Sequence, residues 1–166
     1  MSTHAPKPLN ADLPSSTRIA VVAARFNADI VDKLLDGCLT RLKELGLDES
    51  RIETHRVPGA FELPVAARMF VDAKRFDAVI LLGCVIRGET YHFETVANEA
   101  ARGIQQVAID SGIPCIFGVL TVETRQQALD RSGGSHGHAG VSSANAAAEM
   151  IALARTIKRQ DSPRSR

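Results

Sequence analysis

Four short apolar runs, each followed by a stretch of helical spacing, restrict what this chain can fold into more than any other feature. "RIAVVAA" (18–24) suits a strand buried on both faces. From Asn27 the period lengthens: Ile30, Val31, Leu34, Leu35, Cys38, Leu39, Leu42 and Leu45 follow i, i+3, i+4 spacing, with Asn27 placed to cap the helix and Gly46 to end it. "RIETHRV" (51–57) reads as a second strand and leads into a helix over about 61–74, where Pro64 is tolerated because it falls near the first turn. "DAVILLG" (77–83) is the most apolar strand and precedes a helix over about 92–110; "IPCIFGVLT" (113–121) is the fourth strand. "VETRQQALDR" gives a short helix, "SGGSHGHAG" a flexible joint, and "VSSANAAAEMIALARTIKR" a long final helix.

Strands alternating with helices imply right-handed crossovers and a parallel sheet covered on both sides. The expected fold is therefore α/β: a three-layer αβα, flavodoxin-like arrangement around a four-stranded parallel sheet. The 166 residues suffice for one core and are short for two, so a single domain over 18–159 is expected, between an irregular arm (1–17) and a basic tail (160–166). A net charge of +1 supplies no general field to draw nucleic acid or an anionic membrane. The proline-rich start has no apolar signal core, and no run is long enough to span a bilayer. Cys38, Cys84 and Cys115 lie in apolar surroundings without CxxC spacing, which suits reduced thiols in a cytoplasm.

Ligands of such sheets bind outside the carboxyl ends of the strands, and the unusual residues gather there: "ARFN", "VPGAFE", "GCVIRGETYH" and "FGVLT". In "RGETYH", Gly88 permits close approach, and the amides of Glu89 and Thr90 precede a helix, where unpaired N–H groups and the dipole favour an anion; Thr90 acting only as a cap is the alternative. His92 falls in the first turn, where the positive dipole end favours a neutral ring able to accept and return a proton, or it is an ordinary surface histidine. Arg131 either holds a phosphate through two parallel bonds or faces the carbonyls at its own helix end. Phe26 and Phe117 end strands one and four, in core or placed to stack on a flat heterocycle. Glu62 pairs with ring N–H donors or is a favourable first-turn acid. His136 and His138 flank Gly137, but no carboxylate or thiolate stands at ligand spacing, so no metal is expected.

The set "ARFN", "VPGAFELP", "GCVIRGETYHFETVANEAARGI", "FGVLT" and "QALDR", in that order from about Arg18 to Lys158, closely resembles the 6,7-dimethyl-8-ribityllumazine synthase family. The resemblance implies condensation of 5-amino-6-(D-ribitylamino)uracil with 3,4-dihydroxy-2-butanone 4-phosphate, the penultimate step of riboflavin synthesis, with no metal or organic cofactor. It implies that Phe26 stacks on the pyrimidine and that Ala60, Phe61, Glu62, Cys84, Val85 and Ile86 line the uracil and ribityl side. Glu89 and Thr90 would give backbone contacts to the phosphate, and His92 would shuttle protons. Phe117 and Arg131 would come from a neighbouring subunit of a homopentamer, and in many members pentamers pack into a hollow icosahedral shell. The joint is compact, as in relatives that close into shells, whereas Pro6, Pro8 and Pro14 oppose a long regular strand added by the N-terminal arm to a neighbour; pentamers are expected, with a lean towards the shell. Two departures stand out: His138-Ala139-Gly140 where many relatives carry Asn-Lys-Gly, and Ser142 where they often place an acid. They leave open a catalytically weakened shell protein of the same fold; the other alternative, a flavin-binding protein of that fold, would form no lumazine from the two substrates.

Overall fold

A computed structural model describes residues 13–160. The arm expected at 1–17 is therefore seen only from Leu13, and the tail beyond Gln160 lies outside the described residues. Leu13 is buried, and Thr17 accepts a hydrogen bond from Arg155 Nη2 at 3.1 Å, which ties the entry of the chain to the last helix.

The elements run β1 (Ile19–Ala24), α1 (Ala28–Glu44), β2 (Ile52–Val57), α2 (Leu63–Asp72), β3 (Ala78–Ile86), α3 (His92–Ser111), β4 (Cys115–Val122), α4 (Arg125–Arg131), β5 (Ser132–Gly134), β6 (Gly137–His138) and α5 (Ala139–Gln160). The four main strands form a parallel sheet in the order β2-β1-β3-β4. β1 is buried at every residue because β2 and β3 flank it and helices cover both faces. On one face Ile19, Val21, Ile80 and Leu82 pack with Ile30, Leu34 and Leu42 of α1 and with Ala144, Ala147 and Ile151 of α5. On the other, Ala20, Val22, Val79 and Leu81 meet Leu63 and Ala67 of α2 and Ala100 and Ile104 of α3. This is the expected three-layer α/β fold.

Helix ends follow local chemistry. Gly46 takes φ 85° after α1, and the Leu47 amide donates to Leu42 O at 3.0 Å, an αL turn that closes the helix. Pro64 lies in the first turn of α2, and Gly103 lets α3 come close to it, since a Cβ on Gly103 would fall 2.7 Å from Pro64 Cβ.

Three expectations are corrected. β3 does not stop at Gly83: Cys84, Val85 and Ile86 continue it because β4 supplies the partners Leu120, Thr121 and Val122. The "SGGSHGHAG" stretch is a β5–β6 hairpin rather than a flexible joint: Ser135 and His136 make its turn, and Gly133 (φ 110°) and Gly137 (φ 83°) in the flanking strands take the positive φ that bends the chain into it. Asn27 stands before α1, but its side chain makes no cap hydrogen bond.

Candidate active site

The exits of β1, β2 and β3 converge with the start of α3. After β1 the Arg25 amide donates to Val57 O at 2.9 Å and the Phe26 amide to Pro58 O at 3.2 Å, which fastens the β1 exit to the β2 exit. Asn27 adopts a left-handed conformation (φ 55°, ψ 45°), and its Nδ2 donates to Cys84 O at 2.9 Å, which fastens the same turn to β3. Between these ties the Phe26 ring is left 73% exposed. It rests on Gly59, where a Cβ would lie 3.2 Å from Phe26 Cδ2, so any larger residue there would displace the ring. The Gly59 amide donates to Glu62 Oε2 at 2.8 Å, closing the tight turn Ala60–Glu62 that precedes α2. Glu62 thus spends one carboxylate oxygen on its own turn.

A cleft of about 450 Å³ opens between these segments, lined by Phe26, Asn27, Gly59, Ala60, Phe61, Glu62, Cys84, Val85, Ile86, His92, Thr95 and Val96. It lies beside the C-terminal ends of β1 and β3, where the strand order reverses. Apolar walls with a few polar groups suit a flat, partly polar ligand. Cys84 is unsuited to attack: burial pushes its thiol up to about 11, and nearby Asp29 adds to the shift while Arg125 opposes it. Among the described residues no three His, Cys, Asp or Glu side chains are grouped as metal ligands. No helix among them is long and apolar enough to cross a membrane.

His92 is the first residue of α3 and faces the cleft. Glu89 and Thr90 form an exposed bend just before it, outside the cleft lining. The amides of Gly88, Glu89 and Thr90 donate to no described residue, so three N–H groups stay free at the amino end of a 20-residue helix.

Volume alone does not select this site. A larger groove, about 510 Å³, lies at the opposite edge of the sheet among Arg68, Asp72, Phe76, Asp77, Pro114 and Arg155. Two ion pairs lie within it, Arg68 to Asp72 at 2.7 Å and Arg155 to Asp77 at 3.5 Å, and it sits where strands begin.

A model of the 6,7-dimethyl-8-ribityllumazine synthase family matches residues 16–155. The chain belongs to that family. It is 49% identical over 141 residues to the 6,7-dimethyl-8-ribityllumazine synthase of Halorhodospira halophila, covering 85% of this chain and 90% of that one. The enzyme of the same name from Desulfotalea psychrophila is 48% identical over 136 residues, 82% of this chain and 88% of that one. The Coxiella burnetii protein is 45% identical over 147 residues, 89% of this chain and 97% of its own.

Two residues singled out for this lumazine synthase family member lie away from the cleft of their own chain. Phe117 does not end its strand; it is third in β4, opposite Leu81, and 40% exposed at the sheet edge. Arg131 closes α4, and its Nη1 donates to Gln127 O at 3.0 Å, the helix-end contact. Conversely, Gly59, Thr95 and Val96 line the cleft without having been named as site residues, and Asn27, read only as a cap, lines it too. Thr95 and Val96 were legible as the positions three and four beyond His92 on one helix face.

Proposed function

We propose that the chain condenses 5-amino-6-(D-ribitylamino)uracil with 3,4-dihydroxy-2-butanone 4-phosphate to 6,7-dimethyl-8-ribityllumazine. One observation carries the reading: a cleft with an exposed aromatic ring on one wall and His92 on another opens beside three free amides. Phe26 stacks on the pyrimidine, and residues 60–62 and 84–86 line its edge and the ribityl chain. The backbone of Glu89 and Thr90 takes the phosphate at the head of α3, where unpaired donors and the helix dipole favour negative charge. The ring amine attacks the ketone and water departs to leave an imine. Loss of inorganic phosphate and ring closure with loss of a second water complete the product. His92, next to both subsites, moves the protons these steps require.

Phe117 and Arg131 reach this site from a neighbouring subunit, which accounts for the exposure of Phe117 and for the separation of both from the cleft in a single chain. The assembly is a homopentamer, and we extend the reading to a closed shell of pentamers; light scattering that finds only pentamer-sized particles in every buffer would reject the shell. The three free, buried cysteines agree with a cytoplasmic setting. Mixing the purified protein with both substrates tests the whole reading. Lumazine absorbance should rise above the uncatalysed rate; no rise, with a yellow protein as isolated, would favour the flavin-binding alternative.

A further inference from the structure

The loop carrying the free amides is exposed from Arg87 to Thr90 and includes a glycine, yet its usefulness depends on the amides holding one arrangement. What holds it is a single side chain. The Arg87 amide extends the β3–β4 ladder, donating to Val122 O at 2.9 Å. Its Nε donates to Glu123 Oε2 at 2.5 Å just past β4, and its Nη1 to Glu94 Oε1 in the first turn of α3. Its guanidinium carbon stands 4.3 Å from the Phe93 ring centroid. One residue at the start of the loop therefore grips two residues beyond its end, as well as the neighbouring strand.

We propose that Arg87 is a positioning residue for the phosphorylated substrate: it staples the loop so that the amides of residues 88–90 converge on one point, and it masks the carboxylates around them. This deepens, and rests on, the reading of that loop as the phosphate subsite.

The second effect follows from the charges nearby. Glu89, Glu94 and Glu123 all belong to the loop or its borders, a poor setting for an anion. Arg87 pairs with two of the three, and its hydrogen bond holds the Glu94 carboxyl below the ordinary carboxylate range. The other Glu94 oxygen is buried with no partner, so without Arg87 a poorly solvated carboxylate stands in the turn that must receive phosphate.

The test is steady-state kinetics with both substrates varied, plus inhibition by inorganic phosphate. Arg87→Met keeps the stem against Phe93 but removes fork and charge. It should raise the KM for the butanone phosphate about 10- to 100-fold and weaken phosphate inhibition in parallel, while the KM for the ribitylaminouracil stays within about twofold. Arg87→Lys, which restores charge without the fork, should raise the same KM by a smaller factor and serves if the methionine variant fails to fold. Equal shifts in both KM values, or an unchanged KM for the butanone phosphate, would overturn the proposal as a merely structural effect. Glu89→Pro deletes one loop amide directly. If it leaves phosphate binding intact, the loop is not the subsite and the proposal falls with that reading. If it weakens binding while neither Arg87 variant does, the subsite stands and Arg87 alone is dismissed.

Discussion

Two glycine-bearing connections in this molecule end up with opposite characters. Residues 132–138 carry three glycines and fold into a hairpin, with Ser132 opposite His138 and Gly134 opposite Gly137. Its glycines are there for tight geometry: a Cβ on Gly134 would fall 2.8 Å from Asp130 Cα, and two others have positive φ. Residues 87–91 carry one glycine, with nothing within 4 Å of a would-be Cβ and no positive φ. There the amides of residues 88–90 stay unpaired and the hold comes from the Arg87 side chain and its amide. Glycine content therefore says little about mobility; where the backbone donors go separates a structural turn from a binding loop.

The sharpest way to break this contrast is at the far end of the binding loop. His92→Ala should lower kcat by roughly 10²–10⁴-fold, about 3–5 kcal/mol, and leave the melting temperature nearly unchanged. Measurable activity should remain, because positioning two reactants supplies more, about 7–11 kcal/mol. A fall to the uncatalysed rate with both substrates still bound would show that the loop was misjudged as mainly a positioning device.

Just past the hairpin the order reverses, and stability suffers rather than chemistry. Gly140 lies on α5 where it crosses α1, and a Cβ would fall 2.0 Å from Leu34 O. Backbone cannot yield as a side chain can, so Gly140→Ala should cost about 3 kcal/mol in denaturant unfolding. Gly37→Ala is milder, because its Cβ would meet the His138 ring at 2.2 Å, a side chain able to swing away. We expect about 1–2 kcal/mol of destabilisation, reduced by the helix preference for alanine. Adding His138→Ala should recover part of it; additive losses instead would show that the ring does not seat the hairpin.

His138 also gives the hairpin a pH signature. Burial lowers its pKa below the ordinary 6.5, and its Nδ1 has no partner among the described residues. The unfolded chain then takes up the proton first, so stability is full above that value and declines as pH falls through the window beneath it. Unfolding measured across this range should show a shallower slope in His138→Phe than in the parent. An identical slope would assign the titration elsewhere.

Legibility in the sequence followed the same division. The sheet was readable because β1 and β3 are apolar on both faces, a pattern that only a covered parallel strand explains. The cleft was readable because strand exits in such a sheet must lie together, which brought Phe26, Ala60 to Glu62, Cys84 to Ile86 and His92 to one place. Pairing was harder. Gly83 looked like a strand end, yet a ladder partner on β4 outweighs the glycine. Phe117 was misplaced along β4 because an apolar run gives no sign of which end meets ligand. The side-chain chemistry of Asn27 suits a cap; its bond to Cys84 O, 57 residues away, has no local signal.

The smallest expected effect tests the contrast most directly. Gly88 has open space around it and no positive φ, so Gly88→Ala should change stability by less than about 0.5 kcal/mol. If its freedom matters only for the approach of a ligand, the melting temperature will hold while the KM for the butanone phosphate rises. A loss of stability comparable with that of Gly140→Ala would mean that the binding loop, like the hairpin, is built on glycine geometry. The contrast between held donors and free ones would then have no basis in these two segments.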